Sequence, residues 1–312
     1  MAITLNILLP LFCLIAVGYV GRRRALFDAG AASVLNRFVV HFALPAALFE
    51  VVLRSNWTAL WQPGFIATFG IATLAVFFAV LFVRTRTGKP VADATVDAVA
   101  ASYSNTAYVG LPLCLLAFGE QGVIAATLST LIVVCLLFTV AVVLVEVGLA
   151  GRRASAHSML AALGRSVKNP IILAPLVAAL LSVLGAEIPQ GVASFLQLIG
   201  QAATPCALVG LGAFLADRPV ARGGARTLPL VLTATKLVGL PLLTWWLARS
   251  VFHLPPSLVK AAVLMAALPT GTGPLMLAEF YRREAGPTAT TTLLTTACSL
   301  VTLSALLLVL PA

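Results

Sequence analysis

Acidic side chains are scarce in this chain. Ten Asp and Glu stand against twenty Lys and Arg in 312 residues, and charged residues make up only 10% of the sequence, far below the usual share in soluble domains. Histidine is rarer still. His41, His157 and His253 fall at mutually distant points, so they offer no nucleophile, base or metal constellation of the kind a membrane enzyme needs. The five cysteines, Cys13, Cys114, Cys135, Cys206 and Cys298, lie inside apolar runs with neither paired nor metal-ligand spacing. They read as small packing residues, and no disulfide, metal or cofactor is expected.

What fills the chain instead is hydrocarbon: 61% of residues are hydrophobic and the mean hydropathy is +1.06. An all-α polytopic membrane protein follows. A spanning helix uses about 20 apolar residues, so ten of them leave no room for a soluble domain of ordinary size. The net charge of +10 would suggest nucleic acid in a soluble protein. Here the charges sit in short loops between apolar runs, so they act as topology signals and the partner is the lipid bilayer, with no nucleic acid.

Apolar windows bounded by charge, Pro and Gly fall near 4–21, 33–53, 63–83, 94–117, 122–147, 169–186, 192–215, 226–248, 257–280 and 287–310. The first lacks a preceding basic residue and is followed by Arg22, Arg23 and Arg24, so it reads as a retained span and not a cleaved signal. With the N-terminus outside, the inner loops hold fifteen basic residues and the outer loops only Arg54, Arg249 and Lys260. One missed span would exchange the sides of all later loops and destroy that asymmetry, so ten spans with both termini extracytoplasmic is the reading, in a bacterial inner (plasma) membrane.

The chain also repeats. A shift of 162 positions sets Pro112-Leu113 on Pro274-Leu275, and a shift of 160 sets Ala43, Pro45, Ala47 and Leu48 on Ala203, Pro205, Ala207 and Leu208. Two five-helix repeats, 1–150 and 169–312, joined by a cytoplasmic linker at 151–168, are expected. Five spans is an odd number, so the second repeat enters from the opposite face, the inverted arrangement of many secondary transporters.

Two spans differ from the other eight. The fourth contains Ser102-Tyr-Ser104-Asn105-Thr-Ala-Tyr-Val-Gly110-Leu-Pro112, and the ninth Pro269-Thr270-Gly271-Thr272-Gly273-Pro274. Proline removes an amide donor and glycine lowers the cost of irregular backbone, so both spans are expected to unwind at corresponding depths. The freed amides and half-helix N-termini favour an anion, with Asn, Ser and Thr as neutral hydrogen-bond partners. A simple proline kink repaired by neighbouring groups is the plain alternative.

Ser104-Asn105 followed by Gly110-Leu-Pro112-Leu, and Pro269-Thr-Gly-Thr with Leu277-Ala278 and Tyr281 after it, resemble the paired signatures of the auxin efflux carrier family across essentially the whole chain. That family includes plant auxin exporters and bacterial permeases linked to malonate or malate. The resemblance implies a ten-helix fold, akin to sodium/proton antiporters and bile-acid symporters, whose broken fourth and ninth helices cross at the substrate site. It implies that Asn105 meets a substrate carboxylate and that Pro112 and Pro274 mark the crossing. One departure stands out: where the second signature commonly has Asn after Gly-Thr, this chain has Gly273, so backbone amides, Thr270 or Thr272 must serve on that side.

Lys236 lies near the middle of span eight, where a charge is costly and functional roles are the default reading. It can neutralise substrate, exchange a proton, or satisfy the C-terminal carbonyls of a half-helix. Pro45 and Pro205 sit at matching places in spans two and seven, with Gln201, Thr204 and Gln197 at helical spacing beside the second, and these are candidates for a cavity wall. Arg37 and His41 share a face near a helix end, where packing and snorkelling are expected. Glu50 and Glu146 read as solvated, Glu279 as an ion partner, and Asp93 and Asp97 as suited to the positive start of span four.

The leading expectation is a secondary carrier of a small organic anion (malonate, malate or an auxin-like acid) working by alternating access, and not an enzyme. An ion-coupled symporter of bile-acid type, or a non-transporting sensor or channel on the same fold, is the alternative. Proton or sodium coupling and a homodimer stay open.

Overall fold

A computed structural model describes residues 2–54, 61–150, 170–186, 188–217 and 227–309. Among these residues the chain is helical throughout, and its only β-type pairing is a single bridge. Among the described residues, six helices are long and apolar enough to cross a membrane. Several inner-loop cations of the topology reading (Arg152, Arg153, Arg165, Lys168, Arg218, Arg222 and Arg226), together with His157 and the expected linker at 151–168, lie outside the described residues.

In chain order the helices are α1 (Ala2–Arg23), α2 (Ala31–Arg54), α3 (Pro63–Arg86), α4 (Val91–Ser102), α5 (106–118) and α6 (Gly122–Ala150). After them come α7 (Pro170–Val183), α8 (Gln190–Asp217), α9 (Thr227–Val251), α10 (Pro256–Ala266), α11 (Gly273–Phe280) and α12 (Gly286–Val309). Local sequence sets the ends. Proline stands in the first turn of α3, α10 and α11, where its missing N–H is no loss. Gly88 closes α3 at φ +84, and Gly119, at φ +62, ends α5, a backbone region where a side chain would be strained.

The chain divides into two compact units: Met1–Leu8, Leu60–Leu163 and Ala221–Ala312 form the first, and Leu9–Ala59 with Gly164–Val220 the second. In the first unit, α4 is buried on every side from Ala94 to Ser102. Its run of alanines lets neighbours approach closely: a Cβ at Gly148 of α6 would stand 2.7 Å from the Ala92 nitrogen. Phe65, Phe69 and Phe77 of α3 supply the bulk of the surrounding core.

The second unit is also built on small residues. A Cβ on Gly18 would fall 2.0 Å from the Val209 carbonyl oxygen, and one on Gly212 2.0 Å from that of Ile15, so α1 and α8 touch backbone to backbone. Gly200 lies likewise against Ala47. Arg22 and Asp217 close one end of this contact at 2.6 Å.

Several prolines inside these helices follow a π turn. Three π turns, Val39–Ala43, Thr106–Gly110 and Thr235–Gly239, each end two residues before a proline, namely Pro45, Pro112 and Pro241. A widened turn shifts the pairing from i+4 to i+5, so the carbonyl that would have met the missing proline N–H can pair one residue further on.

Candidate functional site

The first interruption lies in the first unit, between α4 and α5. Helix α4 stops at Ser102, Tyr103 is extended at φ −79 and ψ 98, and helical geometry resumes at Thr106. The second separates Ala266, at the end of α10, from Gly273, at the start of α11. Both stretches are buried, which irregular backbone within a membrane requires.

The two interruptions meet. Ser104 and Thr270 form an antiparallel bridge, with the Asn105 amide donating to the Pro269 carbonyl at 2.9 Å and the Gly271 amide to that of Tyr103 at 3.1 Å. A turn beyond the bridge the rods are still in contact, since a Cβ on Gly110 would come within 2.8 Å of Leu268.

Each interruption leaves a carbonyl end and an amide end, and the fold treats these differently. At the carbonyl end of α4, the Thr270 hydroxyl donates to Ala100 at 2.8 Å. At that of α10, the ammonium of Lys236 donates to Ala266 and Leu268, at 2.6 Å each. Lys236 is fully buried, and no carboxylate pairs with it among the described residues. At the amide ends, Asn105 precedes α5 without its carboxamide capping that helix, and Thr272 precedes α11 likewise. The Thr270 amide donates to the Thr295 hydroxyl of α12 at 3.1 Å. Ser104 and Tyr108 carry buried hydroxyls without partners among the described residues.

The glycines of the second interruption have a tertiary cause. The ring of Tyr103 lies on both, so that a Cβ at Gly273 would be 2.6 Å from the ring and one at Gly271 2.9 Å. That ring also meets Phe138, edge-on at 6.3 Å between centroids. Asn in place of Gly273 has no space.

The expected site residues thus divide into groups. Ser104, Asn105, Gly110, Pro269, Thr270, Gly271, Thr272, Gly273 and Pro274 come together, with Lys236 at their edge. Pro112 does not mark the interruption: it lies inside α5, seven residues beyond Asn105, because the π turn at Thr106–Gly110 absorbs it. The crossing is marked by Ser104 and Thr270 instead. Pro45 is buried in the second unit, and there Gln201 is exposed with Thr204 and Pro205 half-buried.

Other polar residues depart from expectation too. Glu146 accepts from the Tyr281 hydroxyl at 2.9 Å and is not simply solvated. Glu50 pairs with Arg54 at 2.9 Å, and His41 is exposed with its ring nitrogen 2.9 Å from the Arg37 carbonyl. Asp93 holds Arg283 in a two-pronged bond at 2.8 and 2.6 Å, Arg84 binds Asp97 at 2.8 Å, and Lys89 reaches Glu284 at 3.4 Å. The carboxylate of Asp93 holds the Arg283 guanidinium more firmly charged than usual. Nothing in the local sequence flags Tyr103 or these pairings, two of which join residues 190 and 195 positions apart.

A helical protein with several membrane-length spans and two buried helix interruptions joined by their backbones belongs to the class of polytopic membrane transport proteins. The comparison with known families makes this specific: residues 3–307 match the model described as membrane transport protein, and the chain belongs to that family, the auxin efflux carriers. It is 33% identical over 311 residues to a protein of Rhizobium meliloti (strain 1021) named "Putative malonate transporter", covering 98% of this chain and 96% of the relative. It is also 26% identical over 284 residues to the "Uncharacterized transporter YfdV" of Escherichia coli (strain K12), covering 88% and 87%, and equally to that of Shigella flexneri. The family and the names of these relatives indicate a role in transport.

Proposed function

We propose that the protein is a secondary carrier of a small dicarboxylate, of malonate or malate size, and that it works by alternating access. The observation that carries this reading is the unequal treatment of helix ends at the bridge. The carbonyl ends of α4 and α10 are occupied by Thr270 and Lys236, while the amide ends of α5 and α11 have no side-chain cap. Covering the negative poles and leaving the positive ones makes the locality favourable to an anion, and the buried Lys236, when protonated, would add a charge of the same sign. Asn105 supplies a neutral carboxamide beside it. The relative's name supports malonate as the first acid to test.

In this reading the twelve helical pieces form ten spans, α4 with α5 and α10 with α11 each being one broken span. The two halves are inverted repeats, and both termini lie outside the cytoplasm of a bacterial inner membrane. Each compact unit draws on both halves of the sequence, which supports that arrangement.

Proteoliposomes loaded with unlabelled acid test the proposal. Saturable counterflow of labelled malonate or malate, stronger than that of an indole carboxylate, is the expected result. Rectifying current without counterflow would make the protein a channel, and binding without flux a sensor. Reporter tags at both termini should label from outside the cytoplasm, and a cytoplasmic label at one alone would refute the ten-span path.

A further inference from the structure

We infer that the ammonium of Lys236 is a tethered substitute for a bound monovalent cation, so that the second interruption keeps its shape, and its anion-favouring field, with no ion drawn from solution at this place. The inference rests on the carrier reading for its transport consequence and on geometry alone for its structural one.

A helix leaves its last four carbonyls without partners inside the helix. At the end of α10 two carbonyls, those of Ala266 and Leu268, converge on one point, and that point is Nζ of Lys236, 2.6 Å from each. Convergent carbonyls from a half-helix C-terminus and its unwound continuation are the donor set by which discontinuous transporter helices hold a small cation. Here a side chain brings the positive charge. The ammonium is a compact point charge with several donors, so it can fill such a point where a planar guanidinium cannot.

Two further observations favour this role over a plain ion pair. No carboxylate meets Lys236 among the described residues, so its charge is held by peptide dipoles alone. The residue is also wholly buried, within the π turn Thr235–Gly239. A charge fixed to the chain is never released on either side of the membrane. A carrier built this way needs no sodium at that point to seat its anion. Lys236 is therefore a positioning residue, acting through the backbone of the second interruption.

The test removes the side chain and offers ions instead. Purified wild-type protein should melt at the same temperature in choline, sodium and ammonium chloride of equal concentration, and its malonate uptake should be equal in sodium and choline. Lys236→Ala should melt several degrees lower in choline and recover part of that loss in ammonium or sodium. Its uptake should fall at least tenfold in choline and rise at least threefold when ammonium is supplied. Lys236→Met, which fills the space without charge, should show no response to either ion. A sodium requirement in the wild type, or a folded Lys236→Ala whose melting and uptake ignore the cation, overturns the inference. Should Lys236→Ala fail to fold in every salt, the wild-type comparison still decides. Should no acid be transported, the carrier reading falls while the melting comparison stands by itself.

Discussion

At the first interruption a neutral hydroxyl, that of Thr270, meets the carbonyl end of the preceding helix, and a carboxamide, that of Asn105, stands at the amide end. At the second, a charged ammonium meets the carbonyls, and the amide end offers backbone with Thr272 beside it because Tyr103 covers both glycines. Related backbone geometry therefore carries different chemistry on its two sides. One side supplies a directional hydrogen-bonding group, and the other supplies charge and close packing.

That contrast can be broken most sharply at Gly273. Gly273→Asn would place its Cβ 2.6 Å from the Tyr103 ring, and overpacking of this kind costs about 1–3 kcal/mol or more, so folded yield and melting temperature should drop steeply. Adding Tyr103→Ala should recover much of the loss, and a double-mutant cycle without such coupling would detach the ring from the glycines. Next comes Asn105→Ala, which should weaken substrate affinity about tenfold or more, the value of roughly 1.4 kcal/mol. Its melting temperature should change little because the carboxamide does not cap the helix. Unchanged affinity in the purified variant would remove Asn105 from the site.

Thr270→Val keeps the shape and deletes the hydroxyl that serves Ala100. An unsatisfied buried carbonyl costs about 1–3 kcal/mol, so stability should fall by that order, while Thr270→Ser should hold close to wild type. The smallest effect belongs to Lys89→Ala. Its 3.4 Å contact with Glu284 is exposed on both sides, and such pairs contribute about 0–1 kcal/mol, so a shift in melting beyond a degree or two would be a surprise.

Much of this architecture is legible in the sequence. Apolar windows bounded by Arg, Pro and Gly fall on the helices, and the two spans singled out by Ser-Asn and by Pro-Thr-Gly-Thr-Gly-Pro are interrupted there. What misleads is proline: Pro112 invites a break beside itself, but a π turn accommodates it, and the chain opens instead at Tyr103 to Asn105, where no proline stands. The departure at Gly273 is visible in the sequence, but its cause is a ring 170 positions earlier and can be seen only once the two rods touch. The same holds for Lys236, conspicuous as an intramembrane charge, whose carbonyl partners come from another helix 30 and 32 positions along the chain.

Because backbone hydrogen bonds join Asn105 to Pro269 and Gly271 to Tyr103, replacements at 104 or 105 can alter the side chains at the bridge while leaving those bonds intact. On the carrier reading proposed above, a lineage built on such a splice can exchange one acid for another by single-residue steps, with no intermediate that must first give up its architecture.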